Sequence, residues 1–177
     1  MELEYRLLSL TSSGLEEPKH LFETAFPPEE RPPFDVTLGF ERSLFYGVYR
    51  DGKFVALVDL VPYGDLLYIF FLAVQDERRN QGIGSTILHD VKKRYRGKRL
   101  FLLADDPEPN YPDYSLRMRR IAFYERNGFH LSGTHVKEMG VMYRILSAGD
   151  PVSKKEFLET MRYLIGEERF RLYYGDE

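Results

Sequence analysis

Between Leu44 and Val74 the sequence has room for little except strands and tight turns. Leu44–Arg50 is rich in aromatic and β-branched residues, Asp51-Gly52 follows, and Lys53–Val61 resumes the same pattern. An Asp-Gly pair accepts the left-handed angles of a two-residue hairpin, so the two runs are expected to pair antiparallel. Pro62–Asp65 makes a second turn, and Leu66–Val74 reads as a third strand. Its near-continuous apolar character implies burial on both faces and a central place in a sheet. Three antiparallel strands in succession form a meander, and the rest of the chain must be arranged around it.

Leu3–Ser9 reads as a strand ahead of the meander, and Gly14–Ala25 places Leu15, Leu21, Phe22 and Ala25 on roughly one helical face. Phe26-Pro27-Pro28 ends that helix, because proline cannot continue it. Glu29–Phe34 is either a short helical turn or a loop. After Val74 the period lengthens: Ile83, Ile87, Leu88, Val91 and Tyr95 recur at helical spacing. Arg99–Ala104 is a short buried strand, and the proline-rich Asp105–Asp113 is a loop. Tyr114–Arg126 is a second long helix, stopped by Asn127-Gly128. Phe129–Val136 and Gly140–Ser147 form a strand pair. Ser153 caps a terminal helix reaching about Ile165, and Phe170–Tyr174 is expected to be one more strand. The fold class is therefore mixed α/β, of the α+β kind, with a twisted, mostly antiparallel sheet flanked by helices. One domain is expected over residues 1–149, with 150–177 as a helical extension packed on it.

Composition removes several function classes. Hydrophobic residues make up 43% and charged residues 30% of the chain, the balance of a globular domain. A net charge of −3 argues against a general affinity for nucleic acid. The chain has no cysteine, hence no disulfide, thiol nucleophile or thiolate metal site. Four histidines are scattered without zinc-type spacing, and no metal is expected. Met1–Ser13 lacks the basic start and apolar run of a signal peptide, and no run is long enough to span a membrane. A cytoplasmic protein that needs no membrane is expected.

The chemistry is concentrated in Arg79-Asn80-Gln81-Gly82-Ile83-Gly84, between the third meander strand and the first long helix. Glycines let backbone approach a ligand closely, and the first helical turn points unpaired N–H groups outward. With the positive end of the helix dipole, those donors hold a pyrophosphate. Arg79 adds charge at the rim, and Ser85 adds a hydroxyl. The dinucleotide fingerprint would need a third glycine near Ile87, and the Walker pattern would need a lysine after the last glycine. Neither is present.

Arg79-x-x-Gly82-x-Gly84, after Phe71-Leu72-Ala73-Val74, resembles the acetyl-CoA motif of the GNAT N-acetyltransferases. Ala122-Phe123-Tyr124-Glu125-Arg126-Asn127-Gly128-Phe129 is similar to the late helix and following strand of the same family. The order of elements agrees over about residues 3–147. The resemblance implies the GNAT fold, splayed between its fourth and fifth strands, and direct attack of an amine on the thioester of acetyl-CoA in a ternary complex. It assigns backbone groups of Leu72, Ala73 and Val74 to the pantetheine arm and the oxyanion, and residues Arg79, Asn80, Gln81, Gly82, Ile83, Gly84 and Ser85 to the pyrophosphate. Tyr124 takes the place of the acid that serves the leaving thiolate.

Two positions depart from the family. Tyr68-Ile69-Phe70-Phe71 holds no carboxylate where some members carry a glutamate base. Glu30, after the first helix, and Asp105, closing the fifth strand, stand as acceptor-site candidates; Asp59 lies within the third strand. Arg117 occupies the place of an asparagine that contacts CoA, and it either reaches a CoA phosphate or faces solvent. The expected acceptor is a small-molecule amine, framed by the loops Pro27–Phe34 and Asp106–Tyr114 with Phe34, Tyr111 and Tyr114. A protein N-terminal or lysine acetyltransferase, and a silent acyl-CoA-binding module, are the alternatives. The protein is expected to be a monomer or a homodimer.

Overall fold

In a computed structural model, which describes residues Met1–Gly175, the strands are β1 (Glu4–Leu7), β2 (Leu44–Arg50), β3 (Lys53–Tyr63), β4 (Leu66–Val74), β5 (Arg99–Asp105), β6 (His130–Glu138) and β7 (Val141–Ala148). The helices are α1 (Glu16–Ala25), α2 (Phe34–Leu38), α3 (Ile83–Arg94), α4 (Tyr114–Arg126), α5 (Lys154–Ile165) and α6 (Glu167–Tyr174), with 3-10 turns at Pro28–Glu30 and Asp76–Arg78. The sheet order is β1-β2-β3-β4-β5-β7-β6. The recorded pairings β1–β2, β2–β3, β5–β7 and β6–β7 are antiparallel. β5 runs parallel to β4, pairing Leu66–Tyr68 with Arg99–Phe101, as a connection through a helix requires. No described helix is long and apolar enough to cross a membrane.

The meander forms as its sequence predicts. Asp51 and Gly52 take φ values of 51° and 76°, the left-handed pair of a two-residue hairpin. β3 runs on to Tyr63, so the following turn is Gly64-Asp65 alone. α2 has no counterpart in the sequence reading. It is a single turn without a side-chain cap, and Phe34, Val36 and Leu38 alternate as they would in a strand. The expected strand at Phe170–Tyr174 is instead helix α6. Phe170 and Tyr174, four residues apart, stack at 4.9 Å, a contact that helical spacing provides.

The chain divides into two compact units, Met1–Pro62 with Ile69–Arg96, and Tyr63–Tyr68 with Gly97 onward. In the first, Phe22 of α1 is fully buried among Phe71 at 5.0 Å, Phe26 and Phe34 at 5.6 Å, and Phe45 at 6.1 Å. In the second, the Tyr68 and Phe101 rings lie parallel at 4.6 Å, with Phe157 of α5 edge-on to both. Arg99 fixes the start of α5 by binding Asp65, Glu156 and the Pro151 carbonyl. Ser153 and Glu156 form the capping box of that helix.

Asp59 of β3 is an exception to this packing. Its side chain is fully buried, and neither carboxylate oxygen has a hydrogen-bond partner. Burial, the largest cause, pushes its pKa up to about 8. The unfolded value is ~3.9, so folding takes up a proton at neutral pH. Stability is therefore fullest below about pH 4 and falls as pH rises toward about 8. Asp59→Asn should flatten the dependence of melting temperature on pH in that window. At pH 8 it should raise the melting temperature by on the order of 5 °C. Calorimetric melts at four pH values check this.

Candidate active site

The glycine-bearing loop owes its shape to two left-handed residues. Asn80 (φ 61°) and Gly82 (φ 78°) turn the chain out of the 3-10 segment and into α3. A β-carbon on Gly82 would meet nothing within 4 Å, so its glycine answers the backbone angle and leaves open space outside. No side chain caps α3, and the N–H groups of a first helical turn have no carbonyl within the helix to bond. Ile83 is buried and anchors the turn, while Arg79, Asn80, Gln81 and Gly82 are exposed. Thr86 closes the turn by donating from both backbone and hydroxyl to the Gly82 carbonyl. Gln81 accepts from Arg50 at 2.9 Å, and Arg79 pairs with Asp76 at 2.9 Å. The result is a donor-rich helix start of the kind that binds anions.

β4 ends just before this loop, and its pairing with β5 covers Leu66–Tyr68. The rings of the neighbouring residues Phe70 and Phe71 stack at 4.2 Å. They immediately precede Leu72, Ala73 and Val74. Glu30 is half-buried in the 3-10 turn after α1, where Arg31 steadies the chain by donating to the Phe26 carbonyl and lying over the Phe22 ring at 5.2 Å. Phe34, read from sequence as a pocket aromatic, is a buried member of the Phe22 cluster.

The second unit gathers Tyr124, Asp105 and Arg117 around α4. Tyr124 lies in the last turn of α4, with Phe123 at 5.1 Å and Phe129 at 5.9 Å. Burial raises its pKa to about 12, partly offset by the positive charge of Arg120. Arg120, one turn earlier, donates to Asp105 at 2.9 Å, a link between β5 and α4 that no local pattern revealed. Asn127 donates its amide to the Phe123 carbonyl, and Gly128 takes the left-handed C-terminal position at φ 85°.

Arg117 is occupied within this unit. It donates to Asp113 at 2.8 Å and to the Asp106 carbonyl at 2.9 Å, and lies 3.8 Å over the Tyr111 ring. Asp106 itself is buried and meets both His135 and Arg144 at 3.4 Å. Among the described residues, Asp106, Glu108 and His135 bring potential metal-ligand atoms within 4.8 Å of one another. The spacing of the histidines in sequence had no means of showing this, since strand β6 supplies His135 from far along the chain. Arg144 supplies positive charge on the Asp106 oxygen that faces His135.

The sequence between residues 15 and 129 matches the model of the acetyltransferase (GNAT) family. The protein belongs to the GNAT acetyltransferase family. Among solved structures, a GNAT-family protein from Bacteroides thetaiotaomicron is 17% identical, with 98% of this chain and 99% of that chain covered and a TM-score of 0.75. The ribosomal-protein-S18-alanine N-acetyltransferase of Escherichia coli is 23% identical over 86% of this chain and 95% of its own, with a TM-score of 0.58. An aminoglycoside 6'-N-acetyltransferase complexed with coenzyme A is 15% identical over 84% of this chain and 99% of its own, with a TM-score of 0.62. A comparison with curated proteins gives no match.

Arg117→Ala removes two hydrogen bonds and a ring contact from the 106–113 loop. Hydrogen bonds to charged groups contribute ~1.5–3 kcal/mol. The substitution should lower stability by about 2 kcal/mol in urea unfolding, and limited proteolysis should cut first within 106–113.

Proposed function

We propose that this GNAT protein transfers the acetyl group of acetyl-CoA to the primary amine of a small molecule, by direct attack in a ternary complex. The observation that carries the reading is the uncapped start of α3 behind left-handed Asn80 and Gly82. In this reading the N–H groups from Gln81 to Ser85 hold the pyrophosphate, Arg79 and Asn80 border it, and Ile83 packs beneath. Freed backbone of Leu72–Val74 pairs with the pantetheine arm and steadies the oxyanion. Arg117 serves by ordering its loop rather than by binding phosphate, since its Nε and Nη1 are engaged. Glu30 and Asp105 remain separate acceptor-site candidates, and Arg120 orients Asp105.

Amine nitrogen and thioester carbon form the new bond, and the C–S electron pair leaves with sulfur. A phenol at about 12 stays protonated throughout the physiological range. A thiol has a pKa of ~8.5, so complete proton transfer from Tyr124 to the thiolate runs uphill. Tyr124 therefore stabilises the departing thiolate by a hydrogen bond. The amide product needs no group beyond these and a proton acceptor for the amine.

A protein amine is the second reading, and the fold shared with the S18-alanine enzyme favours it as much as the fold shared with the aminoglycoside enzyme favours the first. Thiol release from acetyl-CoA, followed against small amines and against peptides with free N-termini or lysines, separates them. Release with small amines supports the proposal, release with peptides alone moves the acceptor to protein, and none with either rejects acetyl transfer.

Two variants divide binding from chemistry. Gly82→Asp places a carboxylate in the open space beside the loop, and it should abolish the rise in melting temperature that excess CoA gives the wild type. Tyr124→Phe should keep that rise and slow single-turnover acetyl transfer by ~10–100-fold. The wild-type rate should show no limb attributable to Tyr124 below about pH 10, in keeping with its raised pKa.

A further inference from the structure

The loop after β5 and the irregular middle of β6 bring three metal-ligating side chains together within the second unit. Arg144 of β7 is the register partner of both Ala104 in β5 and His135 in β6, and directly opposed residues share a face of the sheet. His135 joins that row at the end of a register shift that begins at Leu131, the kind of irregularity that re-aims a side chain. Ser132 holds the shift, donating its hydroxyl to the Ile145 carbonyl at 2.8 Å and accepting from the Thr134 N–H at 3.2 Å. Asp106 lies two residues beyond Ala104, and Arg117 binds its backbone carbonyl at 2.9 Å. Glu108 follows in the same loop. One ligand atom from each of Asp106, Glu108 and His135 falls within 4.8 Å of the other two.

The Asp106 carboxylate is incompletely satisfied. Its side chain is only 7% exposed, yet no hydrogen bond reaches its Oδ2 among the described residues. Oδ1 stands 3.4 Å from both His135 Nε2 and Arg144 Nη1, longer than the ~2.7–2.9 Å of a charge-assisted N–H···O bond. The same separation suits a shared ion. Two ligand atoms each about 2.1 Å from a tetrahedral ion lie about 3.4 Å apart. Glu108 is exposed, and its carboxylate makes no hydrogen bond or ion pair among the described residues. Arg144 is held from the other side by donating its Nε to the Ser132 carbonyl at 2.9 Å. Two carboxylates against one guanidinium leave an excess of negative charge for a cation to neutralise.

We propose that Asp106, Glu108 and His135 bind a divalent ion of the zinc class, which fastens the proline-rich loop 106–113 to strand β6. An imidazole beside two carboxylates suits zinc, whereas magnesium takes oxygen ligands and keeps most of its waters. His135 is 44% exposed at its side chain, which gives the ion a path from solvent and leaves its fourth position to water. Arg117 acts outside the ligand set by fixing the backbone of Asp106. The ion orders the loop whatever the acceptor of the acetyl group is.

The test is calorimetric titration of tag-free, chelator-treated protein with zinc chloride, for the wild type, Glu108→Gln, His135→Ala and, as a control on the same strand, His130→Ala. Both ligand substitutions fall on exposed side chains, so circular dichroism should show all four proteins folded. The wild type and His130→Ala should bind one ion per chain. His135→Ala should bind ~100-fold more weakly and Glu108→Gln at least ~10-fold more weakly, since even partners outside a ligand set change affinity 10–100-fold. Zinc should slow proteolytic cleavage within 106–113 in the wild type and not in His135→Ala. Absence of binding by the wild type up to millimolar zinc overturns the site. Equal zinc affinity in His135→Ala overturns it too, by placing the ion elsewhere, and magnesium binding as tight as zinc overturns the assigned class of ion.

Discussion

Strand β4 has to meet two demands at once. Its side chains belong to the core, with Leu66, Leu67, Tyr68, Ile69, Phe71 and Ala73 all buried, yet its end has to release the chain into the loop that turns through Asn80 and Gly82. The stacking of Phe70 on Phe71 is where the demands meet. Phe71 reaches Phe22 and Phe26 of α1, so the end of the strand is held by packing as well as by strand pairing. From that fixed point the chain turns through Asn80 and Gly82 into α3, whose buried Ile83, Ile87, Leu88 and Val91 keep the helix start in place.

Burial is also what sets the chemistry of the two most displaced groups. Asp59 and Tyr124 both move upward because a low-dielectric surrounding disfavours the charged form. The consequences differ with the starting value. A carboxyl brought up to about 8 holds its proton at neutral pH. A phenol brought up to about 12 becomes a permanent hydrogen-bond donor and loses the capacity to act as a strong acid.

Legibility in the sequence followed the range of the interactions. The meander, α3, α4 and the capped α5 were readable because hydrophobic period, turn residues and caps are local signals. α2 and α6 were not. α2 is one turn long and alternates like a strand, and aromatic-rich Phe170–Tyr174 has strand-like composition but helical ring contacts. The Arg79–Gly84 loop was legible because glycine at a left-handed position leaves a mark in the sequence. The contacts that orient the remaining site residues were hidden, since Asp105–Arg120, Arg117–Asp106 and His135–Asp106 join distant segments. Asp59 was visible as a residue in a strand, but its isolation depends on everything packed around it.

The most direct test of the account is calorimetric titration of the wild-type protein with acetyl-CoA. The account predicts saturable binding at one site per chain, competed by free CoA, because the start of α3 offers one donor-rich cradle. A protein that is folded by circular dichroism and shows no heat of binding up to millimolar acetyl-CoA would contradict it.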